Sequence, residues 1–281
     1  MRYRTLGRTG IKVSPYALGT LMFATSVGNS DPADSARVLN KALDAGINFV
    51  DTADVYGDSI HRPDPTTDIE ETLSALSDLV RSGKVRAIGT SGLPASDIVE
   101  AQWAAERHGL ARFRTEQPAY SLLNRGIERE ILPVAQRYGL GTLVWGPLGQ
   151  GLLTGRVRKG APNDLSRARF FKHLNDEHRL DVVEQLITVA SEAALPMTHM
   201  AMAFTIAHPG VTSALLGART EAQLDDLLAG MDVTLTDDIL TRIDEIVPPG
   251  TDVGTLEQAY QPPALLDPSL RRRPSTDRSA G

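Results

Sequence analysis

The sequence predicts an α/β fold on parallel strands, and three observations carry that prediction. Short apolar runs alternate with amphipathic helical stretches, the helical stretches end at Gly or Pro, and polar or Gly-rich segments consistently follow the apolar runs. Strand-helix units repeated with short connections imply parallel strands joined by right-handed crossovers. Periodicity alone leaves both a closed barrel and an open sheet possible.

The elements follow in order. Residues 3–13 alternate around Arg8-Thr9-Gly10, the pattern of a β-hairpin placed before the main fold. A short strand spans 16–20. A helix over 31–45 is predicted because Val38, Leu39, Ala42 and Leu43 recur at helical spacing, Ser30 or Asp31 can cap it, and Gly46 ends it. Residues 47–52 read as a buried strand. A helix over 68–82 then leads to a strand over 85–90, a helix over 94–107 to a strand over 113–116, and a helix over 127–138 to a strand over 142–145. Helices over 181–194 and 198–207 lead to a strand over 212–216, and helices over 221–229 and 237–247 complete the series. One domain over 1–260 is expected, with a flexible tail over 261–281.

Composition narrows the function. A chain of 281 residues with 41% hydrophobic side chains can bury a sizeable core. The net charge of -6 argues against a nucleic-acid surface, and Arg271, Arg272 and Arg273 sit in a Pro/Ser-rich segment that reads as a solvated terminus. Cysteine is absent, which removes disulfides, thiolate metal sites and Cys nucleophiles together. No apolar window approaches a membrane span and no signal-like segment opens the chain, so a cytoplasmic location is expected.

The polar strand ends then supply a resemblance. Asn48-Phe49-Val50-Asp51-Thr52-Ala53-Asp54-Val55-Tyr56-Gly57 resembles the signature of the aldo-keto reductases, and His61-Arg62-Pro63-Asp64-Pro65 resembles their His-bearing strand end. Ser82 to Gly89, Glu116-Gln117-Pro118, Leu122-Leu123-Asn124-Arg125, Trp145-Gly146-Pro147-Leu148, Gly151 to Gly155 and Gly217 to Thr220 match in the same order. The resemblance implies a (β/α) TIM-type barrel with its site at the C-terminal strand ends. It also implies NADP(H) and a small carbonyl substrate, an aldehyde or ketone, with no metal required. Tyr56 is then the proton donor, its phenol being protonated at neutral pH, while His61 orients the carbonyl and Asp51 holds a lysine ammonium. Ser91 and Gln117 hold the nicotinamide carboxamide, Trp145 stacks on its ring, and Gly146, Pro147, Leu148 and Gly151 line the pyrophosphate. Thr20 and Gly217 belong to the same cofactor-binding set, and Arg219 with Gln223 meets a 2′-phosphate. Gly92 departs from the Asn usual in the family, and Leu227 stands where it often carries Asn.

The larger departure lies between Tyr56 and His61, where only Gly57, Asp58, Ser59 and Ile60 intervene. The family places a helix, a strand, a second helix and a second strand there, and its catalytic lysine ends the first of those strands. Lys12, Lys41, Lys84, Lys159 and Lys172 do not match that position. Five peptide steps reach at most roughly 18 Å, so Tyr56 and His61 can still face one pocket. About six strand-helix units are therefore expected, with a gap of roughly 14 Å between the new edges that is either closed by a changed tilt or left open. Three functions fit this pattern: an impaired NADPH-dependent reductase, a non-catalytic NADPH-binding regulatory module, and a truncated inactive reductase.

Overall fold

The computed structural model describes residues 1–23, 31–53, 67–163, 165, 168, 171–256 and 262–279. An antiparallel hairpin of β1 (Arg4–Thr5) and β2 (Lys12–Val13) opens the chain, as the alternation predicts. It packs across the N-terminal end of the main sheet: the Arg8 N–H donates to the Gly139 carbonyl at 2.9 Å, and Leu6 and Val13 bury against Leu143.

The main fold follows as β3 (Tyr16–Gly19), α1 (Pro32–Asp44), β4 (Val50–Asp51), α2 (Ile69–Arg81), β5 (Ile88–Thr90), α3 (Ala95–His108), β6 (Phe113–Glu116), α4 (Ile131–Tyr138), β7 (Gly141–Val144), α5 (Glu177–Glu192), α6 (Met197–Ala207), β8 (Ser213–Leu216), α7 (Glu221–Ala229) and α8 (Asp237–Ile246). Of the two caps expected for α1, Asp31 serves, and side chains cap further helices as well. Asp31 accepts from the Ala33 N–H, Asp68 from Glu70, Asp176 from His178 and Thr220 from Gln223, each bond of a kind worth about 1 kcal/mol. A short turn, α9 (Pro263–Leu266), lies in the tail, its leucines exposed. Among the described residues no helix is long and apolar enough to cross a membrane.

The six strands form one sheet in the order β4-β3-β8-β7-β6-β5, with every neighbouring pair parallel. The expected count of strand-helix units is therefore present. Among the described residues β4 and β5 do not pair, so the sheet is a curled half-barrel with a seam between its first and last strands. That seam corrects the expectation of a buried strand over 47–52: only Val50 and Asp51 form β4, and Val50 is 38% exposed. An edge strand has a neighbour on one side only, so half the surface that its side chains would bury against a barrel stays open.

The core divides accordingly. The larger cluster joins Tyr16 and Leu18 of β3, Val144 of β7 and Ala214 and Leu216 of β8 to Leu186 of α5 and Met200, Met202 and Phe204 of α6. The smaller one joins Ile88 and Phe113 to Leu73 of α2 and Ile98 and Ala101 of α3. Helix α2 thus reaches over the seam as the crossover from β4 to β5, and its apolar face settles on the β5 side.

Candidate active site

The C-terminal strand ends converge on one face, as in barrels whose sites are built from βα loops. Thr20 follows β3, Asp51 ends β4, Ser91 follows β5, Gln117 follows β6, Trp145 follows β7 and Gly217 follows β8. Hydrogen bonds join four of these residues. The Thr20 N–H and hydroxyl both donate to the Asp51 carbonyl at 2.9 Å. The Gln117 side-chain amide donates to the Asp51 carboxylate at 2.9 Å, and the Ser91 hydroxyl donates to the Gln117 carbonyl at 3.0 Å.

The Asp51–Gln117 contact was not legible in the motifs, which assign the two residues to different tasks. It spans the seam. β4 and β6 are not neighbours in the sheet, yet the curl brings their ends within one side-chain hydrogen bond. Among the described residues no lysine ammonium meets Asp51. Lys12 bonds Thr5 on the hairpin, Lys41 pairs with Asp225 on the outer surface, and Lys159 bonds Asp181. Lys84 lies beyond α2, and Lys172 is an exposed residue of the loop before α5. Tyr56 and His61 lie outside the described residues.

The residues expected to hold the cofactor fall into two groups. Trp145 is half-buried, its N–H donating to the Pro118 carbonyl at 3.0 Å and its carbonyl accepting from the Tyr120 N–H at 3.1 Å. After it, Gly146, Gly149 and Gly151 all take positive φ, so the chain turns tightly and presents backbone in place of side chains. Gly151, at φ 115°, also lies under Leu165, whose Cδ2 would be 2.8 Å from an added Cβ. Pro147 is buried, and Leu148 packs on the large core cluster. A small recess opens beside Trp145 and Gly146, lined also by Tyr120, Asn124, Gln150 and Arg179.

The second group sits beyond β8. The Arg219 N–H donates to Gln223 Oε1 at 2.9 Å, so Gln223 folds the loop onto the first turn of α7. Glu221 is occupied by Arg37 and Lys41, leaving Arg219 with no ion-pair partner among the described residues. An arginine in the loop just before a helix N-terminus suits a phosphate. Together with the glycine turn and the flat indole, this donor set fits a phosphorylated dinucleotide. Leu227 is buried in the core, where an adenine-facing Asn would be lost to packing.

Glu116 received no role from the motifs. It is fully buried at the end of β6, where its carboxylate accepts from the Gly92 N–H at 2.6 Å, from the Leu93 N–H and from the Thr90 hydroxyl. Burial pushes its pKa up to about 7, against the pull of those donors. The signal available in the sequence was a carboxylate at the end of an expected strand, which alternation places on the face opposite Phe113. The Leu122-Leu123-Asn124-Arg125 motif proves to be scaffold. Both leucines are fully buried, Arg179 donates to Asn124 at 2.7 Å, and Arg125 pairs with Glu128 at 2.9 Å and Asp244 at 2.7 Å, tying the loop after β6 to α8.

Comparison with known proteins decides the ancestry of this face. The sequence model of the aldo/keto reductase family matches residues 16–60 and 58–248. The chain belongs to the aldo/keto reductase family. The match breaks into two pieces where the expected helix, strand, helix and strand are missing, so this family member lacks an internal part of the family pattern. "Uncharacterized oxidoreductase YrpG" of Bacillus subtilis (strain 168) is 30% identical over 333 positions, covering 92% of this chain and 99% of the relative. Since 333 positions exceed the chain's own 281 residues, that relative carries several dozen residues that this reductase-family chain does not. A "Probable voltage-gated potassium channel subunit beta" of Oryza sativa subsp. japonica is 28% identical over 88% of this chain and 97% of its own length. "Protein tas" of Escherichia coli (strain K12) is 34% identical over 65% of this chain and 54% of its own length.

Proposed function

We propose that this aldo/keto reductase family member binds NADPH and transfers hydride between the nicotinamide and an aldehyde or ketone, at strongly reduced turnover. The observation that carries the reading is the pairing of Asp51 with Gln117, on a face that keeps Ser91, Trp145, Gly146, Pro147, Leu148, Gly151, Gly217, Arg219 and Gln223 at successive strand ends. Bound NADPH would supply the hydride to the carbonyl carbon. The Tyr56 hydroxyl would give its proton to the carbonyl oxygen while His61 orients that oxygen. Without the family's lysine, the developing oxyanion lacks one positive charge. A single such group is commonly worth 10²- to 10³-fold in rate.

A second reading is a regulatory module that binds NADPH without turnover. Its support is the similarity, across most of the chain, to a protein described as a potassium channel subunit beta. Both readings require cofactor binding, which quenching of Trp145 fluorescence by NADPH measures, with the exposed Trp103 replaced by Phe to isolate the signal. Absence of quenching defeats both and leaves an inactive remnant. Mixing the loaded protein with a reactive aldehyde then separates them: slow single-turnover loss of NADPH absorbance marks the reductase, and its complete absence marks the regulatory module.

A further inference from the structure

The loop between β5 and α3 carries Ser91 but has little of its own to hold it. Ser91 is partly exposed, Gly92 takes φ 70° with open space around its Cα, and the backbone of this loop adds no ladder pairing beyond Thr90. What fixes it is the end of β6. Glu116 takes the Gly92 and Leu93 N–H groups and the Thr90 hydroxyl, and the next residue, Gln117, takes the Ser91 hydroxyl on its carbonyl and the Thr90 carbonyl on its N–H at 2.9 Å. Glu116 thus adds three bonds to the two that the Gln117 backbone makes with the strand end and loop that carry Ser91.

We propose that Glu116 is a positioning residue for the carboxamide-binding pair Ser91 and Gln117, acting through the Gly92 and Leu93 amides; this rests on the NADPH reading above. Either protonation state of Glu116 can perform the task. Ionised, it accepts from all three donors. Neutral, one oxygen keeps the amides while the other donates to the Thr90 hydroxyl, whose proton then turns to the Thr115 carbonyl 3.5 Å away. An acceptor is needed, and a charge is not, so glutamine should substitute and alanine or the shorter aspartate should not. Among the described residues no charged side chain acts on Glu116; its partners on β5 and the following loop are a hydroxyl and two amides.

The experiment compares Glu116→Ala, Glu116→Asp and Glu116→Gln in the full chain, with two ligands: NADPH and 2′-phospho-ADP-ribose, which lacks the nicotinamide. Glu116→Ala and Glu116→Asp should weaken NADPH about tenfold while leaving the nicotinamide-free ligand unchanged, and Glu116→Gln should bind both like the parent. Amide exchange at Gly92 and Leu93 should accelerate in the first two variants and not in the third. Equal weakening of both ligands, or unchanged exchange at Gly92 and Leu93, overturns the proposal. Should Glu116→Ala fail to fold, Glu116→Asp against Glu116→Gln decides it. If the parent binds neither ligand, the cofactor reading fails, and amide exchange still decides whether Glu116 holds the loop.

Discussion

The arc β3-β8-β7 and the seam between β4 and β5 are built from the same strand-helix grammar and end in different physical states. In the arc each strand has neighbours on both sides, and Leu18 is fully buried beneath α-helices. At the seam β4 shrinks to two residues and Val50 stands 38% exposed. Of the residues proposed to hold the cofactor, Trp145, Gly146, Gly217 and Arg219 rise from the arc, whereas Ser91 and the proposed catalytic residue Asp51 rise from the two strands of the seam. An active-site face inherits the order of the strands below it, so on the proposed reading the loss of two strands falls on Asp51 and Ser91 and leaves the ends of β7 and β8 within the paired sheet.

The sharpest way to break that comparison is to repair the seam. Grafting the corresponding internal segment of the Bacillus relative between Gly57 and His61 should raise turnover at least 10²-fold by returning a cation to Asp51, as read by steady-state NADPH oxidation with an aldehyde. No gain would mean that the seam is not what limits the chemistry. Stability should show the same contrast. Leu18→Ala should cost about 3 kcal/mol in chemical denaturation, and Val50→Ala less than about 0.5 kcal/mol. Similar losses at both positions would show that the seam is closed in solution.

Glu116 extends the contrast to pH. Its ordinary pKa of 4.5 rises to about 7 in the fold, so between those values the native state binds a proton that the unfolded chain has released. Stability should therefore be greatest at the acid end of that window and fall by about 3 kcal/mol as pH rises through it. Glu116→Gln should flatten this part of the denaturation-midpoint profile. On the arc side, Arg219→Ala should weaken NADPH about tenfold and leave NADH nearly unchanged. Equal effects on the two cofactors would remove Arg219 from the 2′-phosphate.

Much of the fold was legible because it is locally encoded. The cap Asp31 and the strand over 113–116 stand where the signals put them. Helix α5 begins earlier than its apolar period suggests, because Asp176 caps it ahead of Arg179 and Leu180, the first buried pair. The site was legible only residue by residue. Ser91, Gln117 and Trp145 could be named from motifs, while the bond that joins Asp51 to Gln117 depends on how far a sheet missing two strands curls, which no local pattern records.

By itself the sequence determined the family, the run of parallel strand-helix units, the absence of a matching lysine and the order in which site residues leave the strands. Hydrophobic period, capping side chains and motif spacing are properties of neighbours along the chain. Only the tertiary structure decided that the seam stays unpaired among the described residues, that Gln117 reaches Asp51, and that Glu116 lies buried under the Ser91 loop. Those outcomes depend on sheet curvature and on which polar groups lose water, and both are set by contacts between residues far apart in the chain.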